Sequence, residues 1–160
     1  MFKSTKVFDG FSCCFRQWKA KDTHCKYLHG YGISFKVWFE GELDHRNWVW
    51  DFGGMKRAKT LIDGMQPKAW MDHMFDHTVI VAEDDPFLPD LQMLNAIQPR
   101  GKQYEGILQL RILPATGAEK FAEFIFHKLN NFVKTETNDR VRVTQVEFME
   151  HGKNSAIYCE

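Results

Sequence analysis

The sequence predicts an α+β fold, in which an antiparallel sheet is covered by helices on one face. Residues 31–43 alternate apolar and polar side chains with a period of two, as a half-buried strand does. Residues 117–133 form the clearest amphipathic helix. Its apolar face consists of Phe121, Phe124, Ile125, Leu129 and Phe132. The chain then ends in two strand-like segments, RVRVTQVEFME and NSAIYCE, joined by the turn sequence HGKN.

The first half of the chain predicts two long strands followed by a helix. Residues 5–18 are rich in β-forming residues and precede the strand at 31–43. DHRN has the composition of a turn, and WVWDF that of a further short strand. Residues 53–65 place apolar residues at helical spacing, and we expect that helix to end near Gly64, shortly before Pro67.

The middle of the chain is less regular. Residues 69–75 predict a short turn or helix that leads into FDHTVIV, a strand. Residues 83–106 form a loop-like insertion with a short helical piece, and ILQLRIL follows as another strand. We expect one domain over residues 1–160, because a chain of this length buries enough surface to fold without disulfides or metal.

Composition excludes several classes of function. The formal net charge is zero, so no excess positive field attracts nucleic acid or an anionic membrane surface. No apolar run approaches the roughly 18 residues of a transmembrane helix, and no signal peptide opens the chain. The four cysteines do not form a sensible disulfide framework, which favours the cytoplasm and free thiols. Phenylalanine occurs 14 times and predicts an aromatic core.

Cys25 is the first candidate for chemistry. It lies between His24 and Lys26, and a neighbouring cation or base lowers a thiol pKa and makes the thiolate nucleophilic. His29 follows four positions later at the start of a strand, where it is the only histidine in a persuasive position for a metal ligand. The alternative is a partly buried cysteine without a chemical role.

Asp76 and His77 suggest a general acid–base pair, since a carboxylate can orient an imidazole. Neighbours in a strand face opposite ways, so contact between them is not guaranteed. His73 and His77 would share a face if the segment were helical, which is a metal-ligand spacing. The alternative is a turn with ordinary polar residues.

Two late glutamates are candidates for binding. Glu119 lies in the first turn of the long helix, where a carboxylate also stabilises the helix dipole. Glu150 ends a strand just before a turn, and its carboxylate suits the paired N–H groups on the edge of a guanidinium-like heterocycle. A solvated strand end is the alternative for Glu150.

Six segments, in this order, resemble the 6-pyruvoyltetrahydropterin synthase / 6-carboxytetrahydropterin synthase family over nearly the whole chain. They are FSCCFRQW, CKYLHGY, WVWDFGGMK, FDHTV, TGAEKFAEFIF and VEFMEHGKNSAIY. The resemblance implies a tunnelling fold, in which an antiparallel four-stranded sheet with two helices on one face assembles into an oligomeric β-barrel. It also implies a homo-oligomer, a trimer or a hexamer of two stacked trimers, with active sites at subunit interfaces.

The resemblance implies an activity as well. The family acts on 7,8-dihydroneopterin triphosphate, and three residues separate Cys25 from the His-Gly pair, as in the 6-carboxytetrahydropterin branch. That branch releases acetaldehyde and triphosphate on the way to 7-deazaguanines such as queuosine. Cys25 matches the catalytic cysteine, and Asp76 and His77 match the Asp-His pair that supports proton transfer. Glu150 matches the glutamate that anchors the pterin ring, and Glu119 a second ring-contacting glutamate.

This chain departs from the family pattern at the metal. The family binds zinc with three histidines, whose positions here are Phe15, His29 and Tyr31. Either the zinc is lost, which we favour, or it is bound by other groups, namely His24, Cys13 or Cys14, or His73. The threonine-rich run that usually precedes Glu119 is Gly117–Ala118 here, so its hydroxyl contacts are absent.

Three hypotheses follow. The first is a pterin-processing lyase of the 6-carboxytetrahydropterin synthase type with an atypical metal site. The second is a metal-free pterin- or purine-binding barrel without lyase activity, motivated by Phe15 and Tyr31. The third is an aldolase or isomerase that acts on a dihydropterin and needs no zinc.

Overall fold

The computed structural model describes residues 1–96 and 107–160. In these ranges the chain forms six strands and three α-helices. They are β1 (Phe2–Phe15), β2 (His29–Gly41), α1 (Pro67–Phe75), β3 (Thr78–Ala82), α2 (Leu88–Ala96), β4 (Leu110–Leu113), α3 (Ala118–Thr137), β5 (Val141–Met149) and β6 (Ser155–Cys159). Two short 3-10 helices, His24–Lys26 and Phe52–Arg57, lie in the loops after β1 and β2.

All strands belong to one sheet with the order β4-β3-β1-β2-β5-β6. The α+β prediction is confirmed, but the sheet has six strands rather than four and is mixed. β3 runs parallel to both β1 and β4, whereas the other pairs are antiparallel. Helix α2 lies in the connection between the parallel neighbours β3 and β4.

β1 is paired along its whole length on one side only. β2 covers that side from Phe2 to Phe15. On the other side β3 pairs only with Cys13–Phe15. Within the described residues, the Phe2–Phe11 edge therefore has no strand partner, and β6 likewise pairs only with β5.

The core lies between the sheet and helices α1 and α3, and it is aromatic as predicted. Phe35, Phe75, Phe121 and Phe148 are fully buried and contact one another with ring centroids 5.2–6.2 Å apart. Aromatic pairs at these spacings stabilise the folded state by more than the burial of their surface alone. This packing fixes α3 across β5 and β6, the strands that lead to and from Glu150.

Two predictions in the segment after β2 are wrong. WVWDF is not a strand: Val49 and Trp50 are buried in a loop, and the carboxylate of Asp51 accepts the Gly54 N–H to cap a 3-10 helix. The helix predicted at 53–65 is only this short 3-10 helix. Asp63 and Gly64 have φ of 49° and 79°, so the chain turns there.

The predicted insertion at 83–106 contains helix α2, and residues 97–106 lie outside the described residues. None of the helices in the described ranges combines the length and apolarity that a membrane crossing requires.

Candidate active site

The end of β1 and the start of β2 bring two aromatic rings together. In the strand register Phe15 lies opposite His29, and Cys13 lies opposite Tyr31. Phe15 is fully buried and Tyr31 is only 4% exposed. Their rings stack with centroids 4.0 Å apart and planes at 11°. This stacked pair forms the floor of the candidate site.

Two imidazoles surround Tyr31. The His29 ring centroid lies 4.4 Å from that of Tyr31, and the His151 centroid lies 5.2 Å away in a stacked arrangement. His29 Nδ1 is 2.8 Å from the carbonyl oxygen of Tyr27, which only accepts, so Nδ1 carries the hydrogen. His151 has φ of 88° in the turn between β5 and β6, a backbone conformation that few residues other than glycine adopt.

Cys25 lies in the 3-10 helix between β1 and β2. The hydroxyl of Thr23 accepts its N–H at 3.2 Å, and its carbonyl accepts the Gln17 N–H at 2.7 Å. The side chain is half-buried. The neighbours expected to activate the thiol make other contacts: His24 packs near the Tyr27 ring, and the Lys26 ammonium donates to the Lys21 carbonyl.

Arg16 fastens this loop to the body of the protein. Its guanidinium donates two hydrogen bonds of 2.7 Å to Asp85 and a third, of 3.0 Å, to the carbonyl of Lys26. The Asp85 side chain is 1% exposed. Burial alone would raise the pKa of Asp85, but the hydrogen bonds from Arg16 and the Phe87 N–H outweigh it and lower that pKa. The position of the Cys25 loop thus depends on a buried bidentate ion pair.

Asp76 and His77 meet although they are neighbours in the chain. Asp76 ends helix α1, and His77 follows with φ of 55°, so neither belongs to the strand. The imidazole Nδ1 donates to Asp76 at 3.0 Å. The other Asp76 oxygen accepts the Ser12 N–H at 3.1 Å. The His77 side chain is 78% exposed, which leaves the rest of its ring open to solvent.

Glu150 is the least satisfied polar group of the site. It is half-buried, and its Oε1 is buried without a hydrogen-bond partner. Burial, followed by the charge of Glu119, raises its pKa, while His151 and His29 act in the opposite direction. Glu119 is exposed in the first turn of α3, after Gly117, whose φ is 116°. The two predicted binding glutamates therefore lie close enough to repel each other.

Buried groups link these residues into one cluster. Burial, followed by the charges of Glu150 and Cys25, raises the pKa of Tyr31 to about 12. Burial raises the pKa of Cys13 to about 12 too, helped by Cys14, Asp76 and Glu150. Among the described residues, however, no hydrogen bond or ion pair joins Cys25 to the Asp76–His77 pair.

A family model for 6-pyruvoyl tetrahydropterin synthase matches residues 4–160. The chain belongs to the 6-pyruvoyl tetrahydropterin synthase family. No curated protein matches the chain significantly.

Solved structures resemble this fold over the full chain. An uncharacterized protein from Wolinella succinogenes is 22% identical, with a TM-score of 0.74, and the match covers 99% of this chain and 98% of that one. The 6-pyruvoyl tetrahydropterin synthase of Caenorhabditis elegans is 17% identical (TM-score 0.61; 99% and 95% covered). That of Plasmodium vivax is 15% identical (TM-score 0.61; 100% and 99% covered). At these identities the likeness shows a shared fold.

The donor set at the stack does not fit the three-histidine zinc site that we expect of the synthase family. Phe15 has no donor atom, and its ring packs directly on Tyr31. His73, one of the proposed replacements, accepts a hydrogen bond from Arg111 at its Nδ1. Within residues 1–96 and 107–160, no three or more His, Cys, Asp or Glu side chains are grouped to hold a metal.

Sequence reasoning missed two residues of this site. His151 directly follows Glu150, but its contact with Tyr31 depends on a positive φ that the sequence does not announce. Arg16 lies 69 residues from its partner Asp85, and only the folded chain brings them together. Arg16 lies in the segment FSCCFRQW, but nothing in the sequence around it indicates an ion pair with Asp85.

Proposed function

We propose that the protein is a pterin-processing lyase of the 6-carboxytetrahydropterin synthase type. Its substrate would be 7,8-dihydroneopterin triphosphate and its product 6-carboxytetrahydropterin, a precursor of 7-deazaguanines such as queuosine. The observation that supports this best is the position of Cys25 and Glu150, which both lie near Tyr31 at the joined ends of β1 and β2. A thiol and a half-buried carboxylate thus lie near the same tyrosine ring.

Glu150 is the proposed anchor for the pterin ring. The edge of a pterin presents an amino group and a ring N–H side by side, which suits the two oxygens of a carboxylate. An unpartnered buried oxygen costs free energy in the empty pocket, and a donor from the ligand relieves that cost. Glu119 lies close enough to Glu150 to contact the same ring.

Cys25 and the Asp76–His77 pair are the proposed proton-transfer groups. The 3.0 Å bond to Asp76 fixes the hydrogen of His77 on Nδ1, which leaves Nε2 free to exchange a proton with the substrate. The half-buried thiol of Cys25, in the 24–26 loop, supplies the second group.

We propose a homo-oligomer, closed by the unpaired strand edges. The Phe2–Phe11 edge of β1 and the outer edge of β6 each present unsatisfied backbone groups within the described chain. Exposed apolar side chains accompany them: Val7 is 49% and Ile157 55% exposed. Pairing β1 of one copy with β6 of the next would close a barrel of three copies, and two such trimers would stack to give a hexamer. Sedimentation should give a trimer or hexamer, and a monomer would contradict this.

The activity test is incubation of the purified protein with 7,8-dihydroneopterin triphosphate, with and without added zinc, followed by mass spectrometry of the products. We expect 6-carboxytetrahydropterin and acetaldehyde. Binding without turnover in both conditions would overturn the lyase and favour a pterin- or purine-binding barrel. A dihydropterin product of a different carbon skeleton would instead identify an aldolase or isomerase.

A further inference from the structure

We propose that the aromatic stack of Phe15, Tyr31 and His151 takes the place of a metal in this protein. The rings fill the centre of the site, and the Tyr31 hydroxyl donates a hydrogen bond to an oxygen atom on the ligand's side chain. The second part rests on the proposed pterin function, whereas the first part stands on the packing alone.

The packing around Phe15 leaves its ring no freedom to withdraw. It is fully buried, stacked on Tyr31 at 4.0 Å and met edge-on by Phe121 at 4.8 Å. A zinc ion needs three or four N, O or S donors at about 2.0–2.3 Å, and carbon edges offer none. Opening the space would require separating rings that belong to the main core.

Two imidazoles also pack against Tyr31. His151 stacks at 5.2 Å and His29 lies tilted at 4.4 Å. The hairpin fixes His151, since the Glu150 N–H donates to the Asn154 carbonyl at 2.9 Å across the turn. Tyr31 thus packs against three other rings, which orient it before any ligand arrives.

The hydroxyl is the polar group that the Tyr31 ring brings to the site. A phenol is protonated at neutral pH and donates one hydrogen bond. Glu150 and Cys25 lie near it, so a ligand anchored by Glu150 and reaching Cys25 passes Tyr31. A fixed neutral donor stabilises negative charge on a ligand oxygen, as a Lewis-acid metal does in other sites.

Zinc titration of the purified protein tests the first part. Calorimetry and metal analysis after dialysis should find far less than one zinc per chain in the wild type. The variant Phe15→His/Tyr31→His restores a set of three histidines with His29, and we expect it to approach one zinc per chain. Stoichiometric, tight zinc in the wild type would overturn the proposal. That measurement decides the matter even if the double variant does not fold.

Ligand comparison tests the second part. Tyr31→Phe keeps the ring and removes the hydroxyl, so it should weaken 7,8-dihydroneopterin binding about three- to tenfold, the cost of one hydrogen bond. Binding of 7,8-dihydropterin, which lacks the hydroxylated side chain, should be unchanged. Tyr158→Phe is the matched control, because the hydroxyl of Tyr158, on β6, donates to Glu160 at 2.7 Å.

The outcomes separate this inference from the proposed function. Equal weakening of both ligands, or of neither, in Tyr31→Phe would overturn the donor role. If the wild type binds neither ligand, the proposed function and the donor role both fail. The zinc titration then still decides whether the stack replaces a metal.

Discussion

Asp76 accepts a hydrogen bond from the imidazole of His77, the next residue in the chain, at 3.0 Å. The contact exists because helix α1 ends at Phe75 and His77 takes a positive φ before β3 begins. Burial alone would raise the pKa of Asp76, but the hydrogen bonds from His77 and Ser12 prevail and lower it. The carboxylate therefore stays charged at neutral pH.

Asp76→Asn should reduce turnover about ten- to hundredfold, because an amide holds the imidazole less firmly and can favour the wrong tautomer. Pterin affinity should change little. Steady-state kinetics and a fluorescence binding titration separate the two effects. Asp72→Asn, which loses only its contact with Lys68 on the surface of α1, is the control. Equal turnover in both variants would refute the role of Asp76.

Cys25→Ala should abolish turnover and leave pterin affinity nearly intact, since the thiol is proposed to move protons and Glu150 to bind the ring. Cys159→Ala, at the exposed end of β6, removes a thiol far from the site and should behave as wild type. Single-turnover product analysis and equilibrium binding are the measurements. A Cys25→Ala enzyme with normal turnover would contradict the assignment.

The ionised carboxylate of Glu150 should lower the stability of the fold although it strengthens pterin binding. Its folded pKa is raised, so between the unfolded and folded pKa values the folded protein keeps a proton that the unfolded chain has released. The free energy of unfolding therefore falls as pH rises through that interval. Glu150→Gln should raise the urea midpoint at neutral pH and leave it unchanged below the ordinary glutamic acid pKa.

The contribution of Glu150 to pterin affinity is measured with Glu150→Ala, which removes the proposed ring anchor. Loss of charge-assisted hydrogen bonds of about 1.5–3 kcal/mol should weaken pterin affinity about ten- to hundredfold. Glu147→Ala, on the same strand, is the control, because Glu147 bonds to Ser155 within the hairpin. Unchanged pterin affinity in Glu150→Ala would exclude Glu150 as the anchor.

Arg16→Ala should lower the free energy of unfolding by about 2–4 kcal/mol, because it leaves the buried Asp85 carboxylate unpaired. The Cys25 loop should also loosen, since Arg16 holds the Lys26 carbonyl. Urea denaturation gives the first effect and hydrogen exchange at the loop gives the second. The neighbouring exposed pair Lys19–Asp84 provides the control: Lys19→Ala should cost under about 1 kcal/mol.

The double variant Arg16→Ala/Asp85→Ala should recover part of the lost stability, because it removes the stranded charge as well as its partner. A loss equal to the sum of the two single variants would show that the pair acts independently and would contradict the proposed anchor.

Strong periodicity made part of the fold predictable. The alternating segment at 31–43 corresponds to β2, and the amphipathic segment at 117–133 to α3. The HGKN turn joins β5 and β6 as expected. Each of these elements buries one whole face, so its apolar residues recur at the period of its own backbone.

Other features were not predicted. One reason is that a buried apolar segment need not be a strand. Trp50 is packed among Phe39 and Phe132 from a loop, and its aromatic neighbours in the sequence imitate a β segment. β3 and β4 have only five and four residues, too few to reveal that they pair in parallel. The Asp76–His77 contact depends on one positive φ, which local sequence does not specify.

The residues of the site were chosen from their types and positions and then matched to a family, and their catalytic and binding roles stay predictions. The sequence also showed that Phe15 and Tyr31 replace two expected ligands. It did not show that their rings would stack, which requires knowledge of the strand register.

The open edge of β1 has a further consequence for the newly made chain. Before it meets a second copy, the subunit exposes a template on which any extended peptide can grow by backbone pairing. Lys6 lies along this edge, whereas the Lys3 ammonium is paired with Glu40 at 3.2 Å. The irregularity at Gly10, with φ of 82°, bends the strand. Positive charge and a bend both discourage indiscriminate pairing.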